Sequence, residues 1–355
     1  MDFDLTDEQE LLRDTVRTFA LERVAPVAAE LDVEARFPYE LVSELAELGL
    51  MGIPVPERYG GAGADTVSYA IAVEELARAD SSVAITVAAH TSLGTMPILL
   101  FGSEEQRERW LPDLASGRRL AAFGLTEPGA GSDAGATRTT AELHDGSWVV
   151  NGSKSFITNA GTDVTWGVTI TARTGEDEVS NLVVENGAPG YGISAPMKKL
   201  GWRASDTREL SFESCRVPEE NLLGERGKGF HQFLEILDGG RISVAAMGVG
   251  LAQGAYDLAV AYAREREQFG KPIASFQAIR FKLADMATEL EAAMAKLYTG
   301  ELSNRVANAA LQIHGGFGYM EESAISRLYR DQKILEIGEG TNEVQRMVIA
   351  RQLGL

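Results

Sequence analysis

The hydrophobic pattern of this chain changes its period twice, and that limits the possible folds more than any other feature. Up to about residue 121 the apolar residues recur at helical spacing. From 122 to about 230 they alternate, and from Gly229 to Leu353 the helical spacing returns. A helix carries one apolar stripe and a strand one apolar face, so each period commits its segment to one kind of packing. The order predicts an α+β chain with an N-terminal helical domain over 1–121, a middle β domain over 122–230 built as a barrel or sandwich, and a C-terminal helical bundle over 231–355.

Within the first region, Thr6-Asp7-Glu8-Gln9 has the spacing of a capping box, followed by Leu11, Leu12, Val16, Phe19 and Ala20 on one helical face. Pro26 is expected to kink or end that helix. Further helices are expected over 39–48, stopped by Gly49, over 66–79, and over 83–100, the last strained by Gly94 and Pro97; Ser103 to Gln106 caps another. In the middle region Trp148 and Val150, then Val164, Trp166, Val168 and Ile170, then Leu210 and Phe212 alternate, with hairpin signals at Asp145-Gly146 and Asn151-Gly152. Antiparallel pairing is expected. No Gly-x-Gly-x-x-Gly follows a strand and opens a helix, so a Rossmann nucleotide site is not expected.

The formal net charge of −19 over 355 residues argues against nucleic acid as a partner, since binding it relies on Lys and Arg neutralising phosphates. A local basic patch can still hold one phosphorylated ligand. The single cysteine, Cys215, excludes an internal disulfide and fits a reducing compartment, so a cytoplasmic location is expected. The acidic start Met1-Asp2-Phe3-Asp4 has no signal-peptide pattern, and no run of 18 apolar residues predicts a membrane span. Four histidines without ligand spacing predict no metal site.

Three segments carry candidate chemistry. Glu339 lies between Gly338 and Gly340, with amphipathic helices expected over 321–337 and 343–353 and a capping-box spacing from Asn342 to Gln345. A carboxylate beside a helix N-terminus stays ionised, which suits a resting general base; a solvated turn glutamate is the alternative. Leu125-Thr126-Glu127-Pro128-Gly129-Ala130-Gly131-Ser132-Asp133 offers unshielded backbone N–H groups and hydroxyls for a flat polar ring or a phosphate; the alternative is a plain Gly-rich turn. The stretch from Asn151 to Asn159 adds an aromatic and a hydroxyl at a strand end; the alternative is a hairpin with a core Phe156.

Together these strings resemble the acyl-CoA dehydrogenases, flavoenzymes that oxidise fatty acyl-CoA thioesters. The matches run in order: LTEPGAGSD (125–133), NGSKSFITN (151–159), KLGWRASDTREL (199–210), RISVAA (241–246), REREQFGKPIASFQ (264–277), QIHGGFGY (312–319) and RDQKILEIGEGTNEVQR (330–346). The resemblance implies FAD as cofactor. It implies that Phe123, Leu125, Thr126, Gly131 and Ser132 meet the flavin ring edge, and that Phe156, in place of a frequent tryptophan, and Thr158 lie by its reactive N5 side. Arg266, Gln268 and Phe269 are implied to touch FAD of a neighbouring subunit, Gln277, Gln312, Gly315 and Gly316 to line the adenosine end, and Thr341 and Glu343 to lie on the flavin side of the last helix. For acyl-CoA, Ser132, Asp238, Arg241 and Gly340 match. Members place the general base either in the Glu-Gly-Thr stretch or just before the residue matching Arg241; here the latter is Gly240, so Glu339 is implied.

The implied reaction is α,β-dehydrogenation to a trans-2-enoyl-CoA. The thioester carbonyl is held by the Glu339 N–H and a ribityl hydroxyl, and hydride passes to flavin N5. The implied electron acceptor is an electron-transfer flavoprotein, in a homodimer or homotetramer. An oxygen-using acyl-CoA oxidase or a non-catalytic flavin-binding member are the alternatives. Gly338 stands where many members have Tyr, and short or medium acyl chains are expected. Relative to the family pattern, about two dozen residues are missing near Ala292, a length of about 35 Å as helix. The stretch 276–313 has no proline and only Gly300, so it reads either as one helix of about 57 Å or as two with a turn near Ala292 or Gly300. With this shortening a dimer is the more secure assembly.

Overall fold

The computed structural model describes residues 4–291 and 296–352. Helix α1 (Asp7–Phe19) starts on the expected capping box: Thr6 Oγ1 accepts from Gln9 N–H and Gln9 Oε1 from Thr6 N–H, at 3.2 and 3.1 Å. Pro26 does not end this helix. A π-helical segment, Ala20–Val24, leads directly into α2 (Ala25–Glu34), with Pro26 in its first turn. A proline clashes with the carbonyl four residues back, and the wider π turn takes up that clash. Helix α3 (Tyr39–Glu47) is followed by Gly49 at φ 72°, and α4 (Thr66–Ala79) is capped by Asp65. The device at Pro26 recurs at Pro97: α5 (Ser81–Ala88) passes through a second π segment, Ala89–Thr95, into α6 (Met96–Phe101). Helix α7 (Glu104–Ala115) begins on the Ser103–Gln106 capping box.

Buried His90, in the second π segment, joins the helices to the sheet. Its Nδ1 accepts from Ala121 N–H at 3.1 Å and its Nε2 donates to the Leu114 carbonyl at 3.0 Å. Burial lowers its pKa to about 4, so the ring is neutral, as the acceptor role of Nδ1 requires.

Eight strands follow: β1 (Leu120–Gly124), β2 (Thr140–His144), β3 (Ser147–Thr158), β4 (Thr165–Arg173), β5 (Val179–Glu185), β6 (Tyr191–Ile193), β7 (Thr207–Pro218) and β8 (Leu222–Leu223). They form one sheet in the order β6-β7-β3-β2-β4-β5-β8, with β1 also paired to β4. The expected antiparallel pairing holds for most neighbours, but β1 runs parallel to β4, so the sheet is mixed. Asp145 and Gly146 form the β2–β3 hairpin with φ of 48° and 73°. Asn151-Gly152 forms no hairpin. Both lie inside β3, where the register against β7 shifts, and an added Cβ on Gly152 would lie 2.5 Å from Thr139 Oγ1. The same dipeptide that favours a tight turn also permits a bulge with close approach. Trp148, Val150, Val168, Ile170, Leu210 and Phe212 fill the sheet's core as their alternation predicts, whereas Trp166 packs on Trp110 of α7, ring centroids 5.2 Å apart.

The last region opens with α8 (Gly229–Glu265), 37 residues and about 55 Å long. A two-stranded turn, β9 (Glu267–Gln268) and β10 (Lys271–Pro272), precedes α9 (Gln277–Glu291) and α10 (Lys296–His314). The reading of 276–313 as one long helix fails. Arg305 and Glu289 form an ion pair at 2.9 Å, whereas a straight helix would hold them about 24 Å apart. Gly300 lies within α10, so it makes no turn; the expected turn near Ala292 lies outside the described residues. Helix α11 (Ala324–Asp331) is shorter than the helix expected over 321–337 and passes into a 3₁₀ segment, Gln332–Glu336. At α12 (Asn342–Gln352) the Thr341 hydroxyl accepts from Val344 N–H at 3.3 Å, a cap one residue earlier than the one expected at Asn342.

One apolar core joins α1–α5 to α8, α10 and α11, so the two helical regions pack as a unit. Among the described residues two helices, Ser81–Phe101 and Gly229–Glu265, are long and apolar enough to cross a membrane by length and composition, although neither contains an unbroken apolar run. Buried shares of 78% and 56% for their apolar windows make them core helices here. Helix α8 meets α4 at glycines: an added Cβ on Gly250 would lie 2.1 Å from the Glu74 carbonyl oxygen, and one on Gly254 2.2 Å from that of Arg78. Backbone cannot yield as a flexible side chain can. Gly250→Ala is therefore expected to destabilise the protein by about 1–3 kcal/mol through overpacking, read as a lowered thermal midpoint; an unchanged midpoint would refute this close packing.

Candidate active site

Helix α8 also sets the position of Glu339. A Cβ added to Gly240 would lie 2.5 Å from Glu339 Oε2 and 3.0 Å from its Cδ, so the carboxylate rests directly over the glycine. The two alternative base positions of the sequence are thus one place in space. Glu339 takes φ 51°, a left-handed conformation that costs a non-glycine residue energy and persists where its surroundings hold it. Here Gly338 N–H donates to the Ile334 carbonyl at 2.7 Å, Gly340 follows at φ 88°, and Gln345 Nε2 donates to the carbonyls of Glu339 and Gly340 at 3.3 and 3.4 Å. Glu339 is partly buried, so the reading of a fully solvated turn glutamate does not hold.

One turn along α8, buried Ser243 donates to the Gly240 carbonyl at 2.8 Å. Beside it lies the phenol of Tyr69, from α4, which donates to the Ala88 carbonyl at 3.0 Å. Burial raises the Tyr69 pKa and the Glu339 charge adds to this, against the opposing hydroxyls of Ser243 and Ser92, so the phenol stays protonated. On the adjoining turn Arg241 pairs with exposed Asp238, and its Nε is a buried donor without a hydrogen bond.

The 125–133 loop leaves β1 beside the start of α8. Phe123 stacks on Phe233 at 6.4 Å, and Phe230 is 6.0 Å from Phe233. Leu125 and Thr126 are half-buried; Gly131 and Ser132 are exposed, and added Cβ atoms on Gly129 and Gly131 would meet nothing. Phe156 is not a core residue: it is 64% exposed and sits at φ 64° in a bulge of β3, with half-buried Thr158 beyond it. The next residue, Asn159, is buried and bonds the Thr86 carbonyl at 2.9 Å. An unshielded loop with an aromatic face nearby suits a flat ring such as flavin.

A second group lies elsewhere on the chain. Arg266, Gln268, Gly315 and Gly316 line one cavity of about 530 Å³ together with Tyr262 and Phe317. The Arg266 guanidinium lies 5.7 Å from the Phe317 ring centroid. Phe269 is 92% exposed, and Gln277 and Gln312 are exposed on α9 and α10 outside that lining. A guanidinium, an amide and bare glycine backbone form a donor set that fits phosphate and nucleoside groups, so the residues present fit FAD. Thr341 caps α12, and Glu343 is exposed in its first turn.

Motif reasoning passed over Tyr69, Ser243, Glu127 and Lys154. The last two form a buried ion pair at 2.7 Å beneath the loop. Burial pushes the Glu127 carboxyl up, but Lys154, Thr137 and the Arg138 N–H outweigh it and draw it down to about 2. A lysine and a glutamate inside matched strings were a signal, but only the fold brings them together.

The N-terminal, middle and C-terminal domain models of the acyl-CoA dehydrogenases match residues 6–118, 122–215, and 227–293 with 290–354. The chain belongs to the acyl-CoA dehydrogenase family. It is 50% identical over 378 aligned positions to the probable acyl-CoA dehydrogenase YngJ of Bacillus subtilis, covering 99% of this chain and 100% of that one. It matches the structure of butyryl-CoA dehydrogenase from Megasphaera elsdenii at 42% identity and TM-score 0.96, with 100% of both chains covered. An acyl-CoA dehydrogenase of Bacillus anthracis complexed with FAD matches at 36% identity and TM-score 0.94, over 99% of this chain and 67% of that one. The protein is an acyl-CoA dehydrogenase, an FAD-dependent oxidoreductase. Its C-terminal match breaks at 290–293, and its alignment to the B. subtilis relative is longer than its own 355 residues, both in keeping with a shortening near Ala292.

In this acyl-CoA dehydrogenase the atoms nearest a Cβ at 240 belong to the movable end of Glu339. Gly240→Ala is therefore expected to keep thermal stability and bound FAD while pushing the carboxylate aside and lowering turnover roughly 10²-fold, as misplacement by about 1 Å does. Unimpaired flavin reduction by acyl-CoA in this variant would show that the carboxylate position is not critical.

Proposed function

We propose that this acyl-CoA dehydrogenase converts short-chain acyl-CoA to trans-2-enoyl-CoA with Glu339 as the general base. The observation that carries the reading is the Glu339 carboxylate set over Gly240, the one residue type at that position that leaves it room. The thioester α proton is less acidic than a glutamic acid by on the order of ten pK units, each worth about 1.36 kcal/mol. Glu339 N–H donates to the thioester carbonyl and stabilises the charge that develops there. Substrate binding excludes water from the partly buried carboxylate, which strengthens it as a base. Glu339 then takes the α proton as the β hydrogen departs with its electron pair. Bound FAD supplies the acceptor for that hydride.

The loop carrying Thr126, Gly131 and Ser132 binds the edge of the ring, with Phe123 and Leu125 beneath it, while Phe156 and Thr158 cover its reactive side and Thr341 and Glu343 lie toward it from α12. Ser132, Asp238, Arg241 and Gly340 hold the CoA thioester, and the unbonded Arg241 Nε is available to an acceptor on the substrate. Arg266, Gln268 and Phe269 reach the FAD of a second copy, with Gln277, Gln312, Gly315 and Gly316 at its adenosine end. The active form is therefore a homodimer or a homotetramer built from such dimers, and the reduced enzyme passes its electrons to an electron-transfer flavoprotein. Glu339→Gln is expected to retain FAD and bind acyl-CoA but to lose turnover by about 10²–10⁴-fold, the usual contribution of a positioned base. Near-normal anaerobic flavin reduction in that variant would move the base elsewhere.

Short chains are favoured by Tyr69. Its phenol is buried, donates to the Ala88 carbonyl of α5 and lies beside Ser243, one turn of α8 beyond Gly240; in this reading it is the wall that limits an acyl chain leading away from Glu339. The similarity to a butyryl-CoA dehydrogenase points the same way. Tyr69→Ala is expected to shift kcat/KM toward longer acyl chains, each added methylene gaining up to about 0.8 kcal/mol where it fills the new space. An unaltered chain-length profile in a folded variant would remove Tyr69 from the pocket wall.

A further inference from the structure

One buried ammonium lies where the two segments assigned to the flavin ring meet, and the proposed chemistry gives it no role. Lys154 is 0% exposed, and its Nζ donates to the Leu125 carbonyl at 3.2 Å, Glu127 Oε1 at 2.7 Å, Thr137 Oγ1 at 3.2 Å and Thr171 Oγ1 at 3.1 Å. Glu127 in turn accepts from the Thr137 hydroxyl and from the N–H groups of Arg138 and Thr139, the latter two at 2.7 and 3.1 Å. The start and the end of the loop that runs from Leu125 to Thr139 are thereby tied to one point. Lys154 also precedes the bulge in β3: its register against β7 shifts between Lys154 and Ile157, and there Phe156 turns outward. Ser155 N–H donates to the Thr126 carbonyl at 2.8 Å, which joins bulge to loop.

Stability alone does not account for such a pair. Burying two charges costs several kcal/mol for each ion, and well-packed apolar replacements of buried pairs are often neutral or stabilising. A charged cluster does what apolar packing does not: its hydrogen bonds have direction, so it fixes two irregular segments in one mutual geometry.

We propose that Lys154 and Glu127 are positioning residues for the flavin site, holding the 125–132 loop and the Phe156–Thr158 bulge at a fixed separation before FAD arrives. This rests on the reading that these two segments contact FAD. Neither residue reaches the reacting atoms. Their effect is to remove the ordering that the segments would otherwise undergo when the ring binds. The same loop carries Ser132, so substrate affinity is expected to follow flavin affinity.

The test compares Lys154→Met, the double variant Lys154→Met/Glu127→Leu, and Thr137→Val, each purified with FAD and followed for thermal midpoint, FAD dissociation on dilution, and the KM and kcat for butyryl-CoA. Lys154→Met is expected to lose both stability and FAD, since it leaves a carboxylate buried without its cation. The decisive variant is the double one. Its thermal midpoint is expected to recover toward wild type while FAD still dissociates about tenfold more readily, equivalent to about 1.4 kcal/mol, with KM raised more than kcat is lowered. A double variant that regains wild-type stability together with wild-type FAD affinity and KM would overturn the proposal. Should the double variant not fold, Thr137→Val removes one near-isosteric hydroxyl shared by Lys154 and Glu127; weaker FAD retention in it supports the proposal, and unchanged retention overturns it. Flavin affinity does not depend on the identity of the base or the chain length, so these outcomes are separable from failure of the proposed reaction.

Discussion

The close approach of α8 to its neighbours holds the two helical regions in one core and sets the place of Glu339. Glycines at 250 and 254 bring α8 against the backbone of α4, and Gly248 brings it within 3.0 Å, measured from an added Cβ, of the Thr299 side chain on α10. Gly240, on the same helix, leaves the space that the Glu339 carboxylate occupies. A larger residue at the first two positions would separate the helical regions that share one core; at 240 it would displace the carboxylate alone. Helix α8 therefore carries the stability of the fold and the placement of the Glu339 carboxylate, the proposed base, in different stretches of its length.

A second set of contacts fixes the segment that leads to Glu339. Buried Asp331, at the end of α11, accepts from Trp202 N–H of the sheet region and from the Ser81 hydroxyl at the start of α5, each at 2.8 Å. Arg327, one turn earlier, pairs with Asp80, and Arg330 pairs with Asp32. All three regions of the chain thus meet at α11, eight residues before Glu339. Burial, reinforced by the nearby Asp80 charge and opposed by Arg327, raises the Asp331 carboxyl to about 6.

Local signals in the sequence are legible where local physics decides. The capping boxes at Thr6 and Ser103, the helix over Thr66–Ala79, the hairpin at Asp145-Gly146 and the buried alternation in β3, β4 and β7 follow from spacing and turn chemistry. Misreadings arose where distant residues decide. Pro26 reads as a helix end because the π turn that absorbs it has no sequence mark, and Asn151-Gly152 reads as a hairpin because the β7 partner that makes it a bulge lies far along the chain. The parallel β1–β4 pairing likewise cannot be told from alternation alone. For the site, the motif containing Glu339 was legible, but its contact with Gly240, a hundred residues away, was not. The string from Lys199 to Leu210 matched the family with no visible task; Trp202 meeting Asp331 supplies one.

In the proposed reaction Glu339, set over Gly240, removes the α proton of a short acyl-CoA as the β hydrogen passes to FAD. Anaerobic single-turnover mixing of the holoenzyme with butyryl-CoA, unlabelled and deuterated at the α carbon, tests it most directly. The flavin is expected to bleach, with one trans-2-enoyl-CoA formed per FAD and slower bleaching with the deuterated substrate. A flavin that stays oxidised, or one that bleaches without enoyl product and without sensitivity to α deuteration, would contradict it.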